Sequence, residues 1–86
     1  MYSVELSQRA YDFLEKLDNL NSERIKERLK KLGENPVPSD SKFIGRENKD
    51  KLFRYRIGNF RALYLLKEEL KLVLVTKIDK RPRVYD

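Results

Sequence analysis

The sequence has no cysteine, no histidine and no tryptophan, with one methionine, three glycines and three prolines in 86 residues. Without cysteine or histidine it has no disulfide, no thiol nucleophile, no soft metal ligand and no side chain whose ordinary pKa lies near neutrality. Zinc hydrolases, cysteine enzymes and acid–base catalysts built on histidine are excluded, and neither a metal nor a cofactor is expected. No apolar run approaches the ~20 residues of a membrane span, and the N-terminus carries no signal-peptide pattern. A soluble, cytoplasmic protein with no membrane partner is therefore expected. The length suffices for one small core, with residues 1–86 as a single domain, but not for a large internal pocket. A ligand site should lie on the surface or in a shallow groove.

What the chain has in quantity is charge: 20 Lys and Arg against 14 Asp and Glu, a net charge of +6. The excess is local. Residues 41–61 hold seven basic and two acidic groups, and residues 77–86 hold four and two, whereas residues 1–40 carry seven and eight. Positive charge gathered into blocks suits a phosphate backbone or an acidic protein partner.

The larger block contains the clearest local structure. Phe53, Tyr55 and Ile57 alternate with Arg54 and Arg56, and after Gly58-Asn59 the residues Phe60, Ala62 and Tyr64 alternate with Arg61, Leu63 and Leu65. Period-two runs flanking a dipeptide that tolerates positive φ predict a β-hairpin. Its arginines lie opposite its aromatic residues. A local ion pair of Arg61 with Glu68 or Glu69 is the purely structural alternative for that residue.

Elsewhere, residues 1–6 alternate as a strand with Tyr2, Val4 and Leu6 on one side. Ser7 is placed to cap a helix with Ala10, Phe13, Leu14 and Leu17 on one face, and Asn21 or Ser22 a second helix with Ile25, Leu29 and Leu32 on one face. Gly33, as a left-handed cap, and Pro36 end the helical hairpin. Residues 35–51 read as a loop-rich connection with an edge strand at Lys42-Phe43-Ile44. The run Leu70 to Thr76 is apolar enough for a central strand buried on both faces, and residues 82–85 form a last edge strand. Tyr2, Tyr11, Tyr55 and Tyr64 are assigned to the core. The fold class is α+β, in the order β-α-α-β-β-β(-β): a small antiparallel sheet with the helical hairpin packed on one face.

The leading strand, the helical hairpin, the run Arg54-x-Arg56-Ile57-Gly58-Asn59-Phe60-Arg61-Ala62-Leu63-Tyr64 and the closing Lys80-Arg81-Pro82-Arg83-Val84-Tyr85 resemble the RelE/ParE toxin superfamily of prokaryotic toxin–antitoxin systems, and RelE most. The resemblance implies an mRNA interferase, a ribosome-dependent endoribonuclease that cuts mRNA in the A site by attack of a 2′-hydroxyl on the adjacent phosphate. It implies Arg61, Arg81 and Tyr85 as catalytic residues: Arg61 at the scissile phosphate, Arg81 as general acid or charge stabiliser, Tyr85 stacking on a base or assisting proton transfer. Lys42, Lys51, Arg54, Arg56 and Arg83 would bind the RNA. The implied partners are a RelB-like antitoxin, mRNA and the ribosome. Two departures stand out. Leu52 replaces a lysine of better-studied members and Arg54 replaces another, so no general base carries over, arginine being a poor one. A ParE-like gyrase inhibitor and a non-catalytic RNA- or ribosome-binding module are the competing readings.

Overall fold

The alternating runs become the strands of one sheet. The computed structural model describes residues 1–80, so the expected strand over residues 82–85 and the site residues Arg81, Arg83 and Tyr85 lie outside the described residues. Strand β1 (Ser3–Leu6) leads into helices α1 (Gln8–Lys16) and α2 (Asn19–Lys30) and a short 3-10 turn (Lys31–Gly33). Strands β2 (Ser41–Glu47), β3 (Asp50–Ile57), β4 (Phe60–Lys67) and β5 (Leu72–Lys80) follow. The order across the sheet is β1-β5-β4-β3-β2.

The fold class is α+β as expected, with one addition to the antiparallel sheet. β2 to β5 pair antiparallel, but β1 joins the free edge of β5 in parallel, with Ser3 opposite Leu72 and Leu6 opposite Val75. Alternation carries neither strand direction nor neighbour, so the sheet is mixed where the pattern could not say so. The Ser7 hydroxyl donates to the Thr76 carbonyl at 2.9 Å while its oxygen accepts from the Ala10 amide at 3.1 Å, so one residue caps α1 and fastens it to β5.

The core lies between the helices and one face of the sheet. Ala10, Leu14, Ile25, Leu29 and Leu32 pack there against Phe53, Tyr55, Ile57, Phe60, Ala62, Tyr64, Val73, Val75 and Ile78. Tyr55 and Tyr64 are core residues as expected and Tyr2 is partly buried against them, but Tyr11 is half exposed because it falls off the α1 stripe. Two cap assignments are corrected. Asp18, and neither Asn21 nor Ser22, caps α2 by accepting from the Asn21 amide at 3.0 Å, and that bond holds its carboxyl below the usual range. The Asp18 cap starts the helix early, and its first turn carries an exposed Leu20, which no apolar stripe includes. Gly33 is not left-handed. It is glycine because an added Cβ would stand 2.8 Å from the Tyr2 carbonyl oxygen, beside the bond in which the Tyr2 amide donates to the Gly33 carbonyl at 2.8 Å.

The strands also differ from expectation at two bulges. β2 is a full edge strand of seven residues, and its register shifts between Phe43 and Gly45, which breaks the alternation there. β5 runs on to Lys80, with a shift opposite Leu63 and Tyr64 that leaves Thr76 unpaired in the register. One face of β5 is buried through Val73, Val75 and Ile78, whereas Leu72, Leu74 and Thr76 are only half-buried, because among the described residues no helix or strand packs over their side of the sheet.

Candidate functional site

The hairpin turn is tight, with Ile57 opposite Phe60 and a positive φ of 57° at Gly58 alone of the two central residues. Glycine at that first position satisfies the backbone twist of a two-residue hairpin. Phe53, Tyr55 and Ile57 are buried under the helices, so the alternate residues Arg54 and Arg56 come to the open face. The register then lines up the open face in rows across the sheet. Nearest the turn stand Arg56, Arg61 and Asp79 on β3, β4 and β5. The next row is Lys42, Arg54, Leu63 and Lys77 over β2 to β5, and the third is Gly45, Leu52, Leu65 and Leu74. The face is basic at the turn end and becomes apolar within three rows.

Lys42, Arg54, Arg56 and Arg61 line one concavity of about 340 Å³, together with Ser39, Asp40 and Ser41 from the segment that enters β2. Two of its cross-strand pairs, Lys42 with Arg54 and Arg56 with Arg61, are directly opposed like charges. Such pairs destabilise a sheet. A solvated strand face has no need of them, whereas an anion between them turns repulsion into attraction. Glu68, the sequence-level alternative partner for Arg61, instead lies 3.9 Å from Lys51, and the residue opposite Arg61 on β5 is Asp79.

Four of the five described site residues expected from sequence are thus brought together, and Lys51 is not. It alternates with Leu52 and pairs with Arg46 on the side of Phe53 and Tyr55, away from the groove. Leu52 is on the open face, in the leucine row below the arginines. The buried Tyr64 is held in its protonated form. Burial pushes the Tyr64 hydroxyl up to about 12, and it donates to the Pro36 carbonyl at 2.6 Å.

Three participants escaped sequence reasoning. Lys77 joins the basic row because of the bulge at Thr76; its ion pair with Asp79 is 3.1 Å long. The membership of Lys77 in the second basic block was the available signal. Arg28, from α2, reaches over the core to the segment before β2. Its guanidinium lies 5.3 Å from the centre of the Tyr55 ring, Nε donates to the Tyr55 hydroxyl at 3.3 Å, and Nη2 donates to the Asp40 carboxylate at 2.8 Å. The bond to Tyr55, with the nearby Asp40 charge, raises its pKa further above the ordinary arginine value. Asp40 itself had no signal, since its contact with Arg28 exists only in the folded chain.

A family model described as the ParE toxin of the type II toxin–antitoxin system parDE matches residues 4–85. The chain belongs to this ParE/RelE toxin family. Among relatives of the toxin, the candidate toxin RelE1 of Methanocaldococcus jannaschii is 31% identical over 85 residues, covering 98% of this chain and 94% of the relative. The toxin is also similar to a solved archaeal RelE–RelB complex from Pyrococcus horikoshii, with a TM-score of 0.85 and 25% identity over 95% of this chain and 97% of that one. The RelBE2 toxin–antitoxin complex of Mycobacterium tuberculosis matches with a TM-score of 0.79 and 27% identity, over 93% and 91% of the two chains. The expected family is therefore the right one. The basic end of the open sheet face is where this toxin sets like charges directly opposite each other.

Proposed function

We propose that the toxin is a ribosome-dependent endoribonuclease that cuts mRNA in the A site, by attack of a ribose 2′-hydroxyl on the adjacent phosphate. The observation that carries this reading is the groove in which Lys42, Arg54, Arg56 and Arg61 meet as two opposed cation pairs. In-line attack builds negative charge on a crowded phosphorane-like centre, and fixed guanidinium groups stabilise that charge more than the ground-state phosphate. Arg61 and Arg56 hold the reacting phosphate, Lys42 and Arg54 the neighbouring one, with Arg81 donating to the leaving 5′ oxygen, Arg83 on the backbone and Tyr85 stacking on a base. Arginine keeps its proton at neutral pH, so the groove supplies charge and hydrogen bonds rather than a base; solvent water takes the 2′-hydroxyl proton as the new P–O bond forms, and water returns a proton to the 5′ oxygen as its bond to phosphorus breaks. The acceleration then depends on orienting the 2′-hydroxyl in line, which suits a message already held by the ribosome. The toxin would act in the cytoplasm, restrained by a RelB-like antitoxin; the Pyrococcus and Mycobacterium relatives were solved as such complexes.

The test is a reconstituted translation reaction with purified toxin, read by primer extension on the mRNA. A cut within the A-site codon and intact free mRNA are expected. Uncut ribosomal mRNA together with loss of DNA supercoiling by gyrase would replace this reading with ParE-like poisoning, which the family model's ParE description favours. Ribosome binding without either effect would leave a non-catalytic binding module.

A further inference from the structure

Among the described residues, the groove has one acidic residue in its lining, Asp40, and its placement is the least expected feature of the site. The Arg56 amide donates to the Asp40 carbonyl at 3.1 Å, and Ser41 is already opposite Tyr55. Continuing that register by one residue sets Asp40 opposite Arg56, where strand alternation would put its carboxylate on the open face between Arg56 and Lys42. A carboxylate there would occupy the position of a phosphate. The carboxylate instead lies 2.8 Å from Arg28 Nη2. Arg28 is itself fixed on three sides, by the Tyr55 ring and hydroxyl and by a 3.5 Å bond from Nη2 to the Arg56 carbonyl. Ser41, whose hydroxyl donates to the Pro38 carbonyl at 2.7 Å, pins the same segment from its other side. Among the described residues, Lys42, Arg54 and Arg56 have no carboxylate partner.

We infer that Arg28 is a positioning residue: it holds the Asp40 carboxylate away from Arg56 and so keeps the anion site of the groove open. The inference takes its natural ligand from the RNA reading above, but the openness of the groove to a phosphate can be measured apart from it. Arginine suits the task because its planar fork binds the carboxylate and the Tyr55 hydroxyl together while its face covers the ring. Losing that fork releases Asp40 to the nearest cations, and the groove neutralises itself.

The experiment uses the full chain with Arg28→Met, Asp40→Asn and the two combined. Two probes are titrated: inorganic pyrophosphate, followed by NMR of arginine side-chain Nε–H signals, and a single-stranded 2′-O-methyl RNA, followed by anisotropy. Arg28→Met should weaken both probes by about fivefold, the range of one exposed ion pair. Asp40→Asn should bind more tightly than the natural chain, and the double substitution should recover at least its affinity. A merely structural strap gives the opposite result, since removing its second half rescues nothing. A double variant as weak as Arg28→Met, or Arg28→Met binding like the natural chain, overturns the inference. If Arg28→Met does not fold, judged by its thermal melt, Arg28→Lys with and without Asp40→Asn makes the same comparison. Pyrophosphate following the expected pattern while no form of the chain binds RNA would uphold the role of Arg28 and overturn the RNA reading instead.

Discussion

On the helix side of the β3–β4 hairpin, Phe53, Tyr55, Ile57, Phe60, Ala62 and Tyr64 are each at most 5% exposed, whereas on its open side Arg54 and Arg61 are half-buried and Arg56 is exposed. The two sides share one backbone and one register, so their difference is carried by side chains alone. The helix side gains by removing apolar area from water and by ring contacts such as the Phe53–Tyr64 stack at 5.4 Å. The open side sets like charges opposite each other at a cost to the fold. A residue that the fold resists at a solvent-open position is better explained by binding than by stability, and the two sides should therefore respond oppositely to substitution.

The largest effects belong to the helix side. Leu14→Ala, in the buried centre of α1, should destabilise by ~2–5 kcal/mol through the cavity it leaves. Leu74→Ala, on the half-buried open face of β5, should cost only about 1 kcal/mol, as partial burial of a leucine implies. Urea unfolding of both variants checks the contrast, and equal losses would mean that something covers the leucine row of the isolated chain.

Next in size is a loss on the open side. Arg61→Ala should lower cleavage of ribosome-bound mRNA by ~10²-fold, the effect of removing one preorganised charge from a phosphate transition state. Its unfolding free energy should move by at most ~1 kcal/mol, as for other surface groups. Binding to single-stranded RNA should also become less steep in salt. Four contacts predict a slope of log affinity on log salt near ~−3, and each lost contact removes ~0.7 from its magnitude. A thermal melt shifted far downward would mark Arg61 as part of the fold.

A smaller loss returns to the helix side, where backbones approach closely. Gly33→Ala should destabilise by ~1–3 kcal/mol, because the new methyl meets the Tyr2 backbone oxygen and not a side chain that can turn away. Calorimetry of that variant measures the cost of the close approach. An unchanged melting temperature would show that β1 moves aside freely.

How far the sequence reveals this molecule depends on the range of each interaction. The hairpin, its faces and most core residues follow from strand alternation and from Gly58, all within a dozen residues. The parallel pairing of β1 does not, since residues 3–6 meet residues 72–75 only after folding. The bulges are harder still. Straight alternation from Val73 and Val75 would bury Lys77 and expose Ile78, and the extra residue at Thr76 reverses both. The groove was half legible for the same reason: Arg54, Arg56 and Arg61 share one hairpin, but Lys42 joins through β2 and Asp40 through the segment before it, while a bulge sets Lys77 in the row beside Leu63. Leu52 stands in the leucine row, which accounts for its apolar character.

The smallest expected effect is the most diagnostic, because its sign differs between stability and binding. Arg56 is exposed, faces Arg61 directly, and has no carboxylate partner among the described residues. Arg56→Gln keeps a side chain of similar reach while removing one member of the opposed pair. Relief of the cross-strand repulsion should raise stability by ~0.2–1 kcal/mol, with more at low salt because the charges are open to solvent. The same change should weaken RNA binding and reduce its salt slope. A core residue would lose stability, and an idle surface charge would leave binding unchanged. Urea midpoints and anisotropy titrations on the same samples give both signs. A drop in stability would mean that Arg56 supports the fold, and unchanged RNA affinity would remove it from the groove and leave Lys42, Arg54 and Arg61 to hold the phosphate.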